Sequence, residues 1–297
     1  MGVILRQGFK HSLVTVIATV VGMINVLFIY TAVLSKDELG LFQYMINWGK
    51  FLTPFIALGM GAVATRFYPE FEKKSDKNNG LLFFLLLIPL LSFLLFVGLC
   101  VIFKPLIYQK IAEHSDFELL SQYLPYTILV VLAMLMINIF SSYTLNLKRI
   151  VVPEIFNNLW IKITVPLGAI AYFVHYLSFS NFIQWVTIAY FVAALGIFTY
   201  LWKLGGANLR PNWTYFDKST TKEITTFASF TVLGGVGSFI ATQIDTLMVG
   251  SYIDMENTAI YTIALSISVV VGIPLRSIFT ITTPIIAASF NNNDLDN

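Results

Sequence analysis

Long apolar runs alternate with short polar turns along the whole chain. A helix crosses the hydrocarbon core of a bilayer with about 20 apolar residues. Runs of that size occupy residues 11–34, 43–68, 81–103, 123–147, 153–176, 181–202, 227–250 and 257–289. The pattern predicts an all-α, polytopic transmembrane helix bundle of these eight spans. Pro54, Pro166, Pro274 and Pro284 interrupt the second, fifth and eighth spans, and Lys50, Lys162 and Arg276 break their apolar runs. A proline inside a spanning helix frees a backbone carbonyl that neighbouring helices or water must satisfy, so these helices belong beside cavities. Charged connections fall at residues 70–79 and 204–223; the second carries Gly205, Gly206 and Pro211 and reads as a linker.

Within the spans, polar residues recur at helical spacing, which puts them on one face. Glu154, Asn158 and Lys162 follow one another every four residues in the fifth span, and Ser238, Thr242 and Asp245 at four and three in the seventh. Thr15, Thr19 and Gly22, followed by Asn25, mark the first span, and Asn138, Ser142 and Asn146 the fourth. Two readings stand for these faces: the lining of a hydrated cavity, or interhelical hydrogen bonds worth roughly 0.6 kcal/mol each.

Ionised residues weigh more, because a charge at bilayer depth costs about 2.5–3.5 kcal/mol on insertion scales. Arg276 has apolar sequence on beyond it and is the first candidate for a functional cation. Lys162 lies nine residues past Pro153, roughly 13 Å in at 1.5 Å per residue, and either snorkels or faces a cavity. Arg66 lies one turn from the cytoplasmic end of its span, within reach of headgroup phosphates or of substrate. Asp245 is a partner for Arg276, a coupling-ion site, or a residue near the outer surface. Asp37, Glu38, Asp254 and Glu256 fall in outer turns, as gate contacts or as solvated acids.

Composition agrees with the pattern. Hydrophobic residues make up 57% of the chain, charged residues 11%, and the mean hydropathy of +0.77 lies outside the soluble range. A net charge of +2 implies no nucleic-acid partner. A single cysteine, Cys100, excludes an intramolecular disulfide and a cysteine metal site. The apolar run after the short basic N-terminus is too long for a signal peptide and reads as a retained helix.

With the N-terminus in the cytoplasm, inside segments hold Arg6, Lys10, Arg66, Lys73, Lys74, Lys77, Lys148, Arg149, Lys203, Arg210, Lys218 and Lys222, against Lys36, Lys50, Lys104 and Lys110 outside. That bias predicts a multi-pass protein of the inner (plasma) membrane with both ends inside. Trp48, Trp160, Trp185, Trp202 and Trp213 lie near span ends, as an interfacial belt requires. His11, His114 and His175 are scattered, and no paired carboxylates, Ser/His arrangement or Gly-rich phosphate loop has a plausible setting, so no enzyme, catalytic residue, metal or cofactor is expected.

An internal repeat is visible at an offset of 219 residues (259 − 40): Gly40 aligns with Ala259, Asp37 with Glu256 and Phe42 with Tyr261. In each copy an acidic turn opens a Pro-containing helix after the preceding span. An even number of helices between the copies means a parallel repeat.

The stretch Leu39-Gly40-Leu41-Phe42-Gln43-Tyr44 continues through Pro54, Gly59, Gly61 and Tyr68-Pro69. Together with Asp245-Thr246-Leu247-Met248-Val249-Gly250, Gly272-Ile273-Pro274-Leu275-Arg276 and Pro284, it resembles the polysaccharide-exporter branch of the multidrug, oligosaccharidyl-lipid and polysaccharide exporter superfamily. The resemblance covers the whole chain at the level of helix order. It implies a fold like that of the multidrug exporters: a V of two six-helix lobes, with residues 1–203 forming the N-terminal lobe, 204–226 a cytoplasmic linker and 227–297 the first two helices of a C-terminal lobe. The family needs at least twelve helices, so four are expected to be missing from the sequence as given, and independent transport is not expected of it.

The resemblance further implies a flippase that moves undecaprenyl-pyrophosphate-linked oligosaccharide from the inner to the outer leaflet. Arg276, Lys162 and Arg66 would then draw in the pyrophosphate, Asn158, Asn25 and Asn138 solvate the sugars, and Asp245, Asp37 and Glu38 gate or couple ions. Arginine suits that headgroup through bidentate, charge-assisted hydrogen bonds. Lipid-linked oligosaccharide, membrane lipids and polysaccharide-assembly enzymes are the expected partners. A cation-coupled multidrug exporter and a non-transporting remnant stand as alternatives.

Overall fold

The computed structural model describes residues 2–73, 80–112, 116–207, 209–211 and 218–271. Among them every regular element is a helix. Helix α1 (Gly2–Ile24) passes through a π-helical turn, π1 (Asn25–Tyr30), into the short α2 (Thr31–Val33). Ser35 then starts α3 (Lys36–Ala57) with a capping box: its hydroxyl accepts from the Glu38 N–H, and the Glu38 carboxylate accepts from the Ser35 N–H. Helix α3 carries Pro54 and ends where Leu58 (φ 48°) and Gly59 (φ 70°) are left-handed. Helix α4 (Met60–Lys73) continues at an angle of 41°, so the two helices form one bent span. The break falls at the left-handed pair rather than at the proline itself.

Helices α5 (Leu81–Ile102), α6 (Lys104–Ala112) and α7 (Phe117–Asn146) follow, then α8 (Val151–Glu154), a second π turn π2 (Ile155–Trp160) and α9 (Ile161–Phe173). Helix α10 (Phe179–Lys203) is capped by the Ser178 hydroxyl, α11 (Lys218–Tyr252) is the longest, and α12 (Met255–Val271) closes the described chain. Five helices are long and apolar enough to span a membrane, and the bent pair α3–α4 makes a sixth. The fifth span expected from the sequence exists as the helical run 151–173, but Glu154, Asn157, Asn158 and Lys162 dilute its hydropathy and it falls outside that set. Of the eighth span only α12 is described; Pro274, Arg276 and Pro284 lie outside the described residues. The chain is a multi-pass, all-α membrane bundle.

Helix α3 lies at the centre, between α7 on one side and α11 and α12 on the other. Val130, Val131, Ala133, Leu135 and Ile139 of α7 are fully enclosed, whereas Leu90, Leu91, Leu94, Leu95, Val101 and Ile102 of α5 face outward. That asymmetry follows from packing in lipid, where close fit rather than water exclusion holds helices together. Trp160 and Trp185 correct the expected interfacial belt: Trp160 Nε1 donates to the Ala189 carbonyl at 3.1 Å and Trp185 Nε1 to that of Thr164 at 2.8 Å, joining π2 and α9 to α10.

Candidate functional site

Where α1 and π1, α3 and α9 meet α11 and α12, the helices leave a cavity of about 270 Å³. Helix α3 lines it with Gln43, Asn47 and Lys50, at spacings of four and three that hold one face. Helix α9 contributes Lys162, α1 Thr19, α11 Gln243 and Thr246, and α12 Thr262 and Ser266, with Met23, Val26 and Leu265 as apolar wall. Two lysines line this space, and among the described residues no carboxylate does.

The cavity also collects unpaired polar atoms. Asn47 Oδ1, Thr246 Oγ1 and Thr262 Oγ1 are buried without a hydrogen-bond partner among the described residues, in residues 3%, 1% and 7% exposed. An unpaired buried polar group costs about 1–3 kcal/mol, so these three oxygens, packed in the wall of the cavity, weaken the packing there.

Both lysines stand four residues before a proline, Lys50 before Pro54 and Lys162 before Pro166. Each proline lacks the N–H that would bond the lysine carbonyl one turn back. At Lys162 the vacancy is filled from another helix: Asn25, 4% exposed, donates its Nδ2–H to the Lys162 carbonyl at 2.6 Å. The π turn that Asn25 opens brings it to α9. Gly22 completes the seat, since a Cβ there would lie 2.9 Å from Lys162 Cε and 3.2 Å from Nζ. Its absence lets the lysine chain cross α1 toward the cavity.

Asn25→Leu is therefore expected to cost about 1–3 kcal/mol, the penalty of a buried carbonyl left unpaired, read as a lower melting temperature in detergent. In a Pro166→Ala background, where the helix supplies its own N–H, the same change is expected to cost less than half as much. Equal costs in both backgrounds would refute the assignment.

The other residues singled out in the sequence lie elsewhere. Asn158 Nδ2 donates to Glu154 Oε1 at 2.7 Å, and Glu154 also accepts from Thr15 Oγ1 at 2.9 Å and lies 3.4 Å from His11 Nε2. The Glu154–Asn158–Lys162 face thus runs along α1, and only its last member reaches the cavity. Asn138 is exposed and lies over Gly61 of α4, and Asn146 Nδ2 donates to the Ala64 carbonyl at 2.8 Å, so that stripe packs on α4.

Arg66, midway along α4, pairs with Glu223 of α11 at 3.1 Å. Asp245 is exposed and accepts from the Tyr261 hydroxyl at 3.0 Å. Glu38 caps α3 and accepts from the Tyr172 hydroxyl at 2.7 Å, while Asp37 is exposed beside it. Arg276 lies outside the described residues.

The sequence reading put Lys50 within the second span but also counted it among the outer cations, and the structure corrects the second: Lys50 stands within α3 and lines the cavity. Its signal was present in the Gln43, Asn47, Lys50 spacing. The face Ser238–Thr242–Asp245 is exposed, and the neighbouring face with Gln243 and Thr246 lines the cavity instead.

The sequence profile of the family described as "Polysaccharide biosynthesis protein" matches residues 4–290. No curated protein and no solved structure matches the chain.

Proposed function

We propose that this chain, which belongs to the polysaccharide biosynthesis protein family, binds the anionic headgroup of a lipid-linked oligosaccharide in the cavity between α1, α3, α9 and the pair α11–α12, and serves its transfer from the inner to the outer leaflet. The observation that carries this reading is that Lys50 and Lys162 line one space with no carboxylate beside them among the described residues. Like charges facing each other in a low-dielectric interior repel, and a pyrophosphate between them turns that repulsion into attraction. Gln43, Gln243 and Ser266, which line the same space and are only partly buried, offer polar groups to phosphate or sugar hydroxyls beside it. An undecaprenyl-type tail would stay in lipid while the saccharide occupies the polar space.

On this reading residues 1–203 and 227–297 belong to two lobes that rock about the cavity, with the N-terminus in the cytoplasm of an inner-membrane protein and the assembly enzymes of the polysaccharide as partners. Arg276 would add a third cation from the eighth span. The family is transporter-like, and a cation-coupled drug exporter would need a carboxylate facing the cavity, where the charged groups among the described lining residues are the two lysines.

The test is deletion of the gene that encodes the chain, with lipid-linked saccharides quantified by mass spectrometry and drug sensitivity recorded in parallel. Accumulation of a pyrophosphate-linked oligosaccharide on the inner leaflet is expected, restored to normal by the wild-type gene. Drug hypersensitivity without accumulation would sink the proposal.

A further inference from the structure

A second pocket, of about 460 Å³, opens between α4 and the first turns of α11. Arg66 and Lys222 bring two cations to it, Glu223 one acid, Ser219 and Thr226 two hydroxyls, and Phe227 and Phe230 an apolar side. Phe230 is 71% exposed. The Arg66 guanidinium carbon lies 4.8 Å from the centroid of the Phe227 ring, with one nitrogen 3.1 Å from Glu223 Oε1. We infer that this pocket binds the phosphate of an anionic phospholipid of the cytoplasmic leaflet, which displaces Glu223 from Arg66.

Three observations carry the assignment. The first is depth. Residues 218–226 of α11 are polar or charged apart from the inward-facing Ile224, and the continuous apolar sequence begins at Phe227, so the pocket straddles the boundary between headgroups and hydrocarbon. A lipid placed there sets its phosphate among Arg66, Lys222 and the hydroxyls and its first methylenes against Phe227 and Phe230.

The second is the weakness of the present pairing. Both partners of the Arg66–Glu223 bridge are about half exposed, at 53% and 54%. Bridges this exposed contribute little, and a phosphate that also engages Lys222 offers the guanidinium more charge and a second acceptor oxygen.

The third is the surrounding charge. Lys218 and Lys222, at the start of α11, belong to the Lys/Arg-rich segments that the sequence assigns to the cytoplasm, where anionic lipids concentrate and basic residues near the surface draw them in.

Arg66 sits on α4 and Glu223 on α11, and the same joint holds Phe67 against Phe227 and Gly59 against Ala228. Lipid binding therefore loosens one tie across this joint and leaves the apolar contacts in place. The site is separate from the central cavity and stands or falls apart from the headgroup proposal made for it.

The full chain purified in a neutral detergent and titrated with phosphatidylglycerol or phosphatidylcholine provides the test, with bound lipid counted by native mass spectrometry. Phosphatidylglycerol is expected to be retained at least fivefold more than phosphatidylcholine, and Arg66→Gln/Lys222→Gln is expected to abolish that preference. Glu223→Gln, which removes the competing anion, is expected to raise retention about threefold, an outcome that a purely structural bridge would not give. Lys50→Gln is expected to leave retention unchanged. Equal retention of the two lipids, loss of retention in Glu223→Gln, loss of it in Lys50→Gln, or its competition by millimolar inorganic phosphate would each overturn the lipid assignment.

Discussion

Replacing Lys50 by methionine is expected to lower flux of the lipid-linked substrate by about 10- to 150-fold, the equivalent of one charge-assisted hydrogen bond at roughly 1.5–3 kcal/mol. Lys50 comes fourteen residues after Lys36 in α3, about 21 Å along the helix at 1.5 Å per residue, which is the middle of a bilayer. Holding an ammonium there costs about 2.5–3.5 kcal/mol, and facing it toward Lys162 adds repulsion. Methionine keeps the length and flexibility of the chain and removes both costs.

The empty protein should therefore melt no lower than wild type, and the loss should be confined to transport. Lys162→Met is expected to behave alike, and the double variant to lose no more than the product of the two. These outcomes are read by mass spectrometry of lipid-linked saccharides in cells, alongside melting in detergent. Flux within twofold of wild type would remove Lys50 from the site; a fall in flux that merely tracks a fall in melting temperature would make it structural.

Much of the architecture was legible because membrane helices carry their length and apolar run in the sequence. The prolines also told the truth about where polar groups gather, since Pro166 frees the very carbonyl that Asn25 reaches. Lys162 was legible for the same reason, standing on a polar face that ends at the cavity. Lys50 was not, because counting cations by loop forced it outward, although Gln43 and Asn47 mark its face as polar.

The stripe at Asn138 shows the limit of spacing arguments. Helical periodicity says which residues share a face but not what that face meets, and this one meets α4. The polar face of α11 failed by one residue, about 100° around the helix, since Thr242 and Gln243 are both polar and only packing against α12 decides which turns inward. Asp37 and Glu38 sit together in the sequence, yet the capping box separates them, fixing Glu38 on the Ser35 N–H and leaving Asp37 exposed.

Gly40→Val is expected to unseat α12, costing about 3 kcal/mol or more, the upper end of what overpacking costs. A Cβ at Gly40 would stand 1.8 Å from the Met255 carbonyl oxygen and 2.6 Å from its carbon, both main-chain atoms. Met255 is not free to retreat. Its N–H donates to Asp116 Oδ2 at 2.9 Å, its side chain is fully buried, and the next residue, Glu256, is tied to Lys36.

Relief must come from α12 moving as a unit, and Thr262, Leu265 and Ser266, which line the cavity about two to three turns further along, move with it. Stability and transport should then fall together, the opposite of the Lys50→Met outcome. At roughly 2–4 °C per kcal/mol for a chain of a few hundred residues, the melting temperature should drop by about 6–12 °C. Met255→Ala should give no rescue, because shortening that side chain leaves the carbonyl in place. A variant that melts within 2 °C of wild type, or one that Met255→Ala restores, would show that α3 and α12 do not meet backbone to backbone at Gly40.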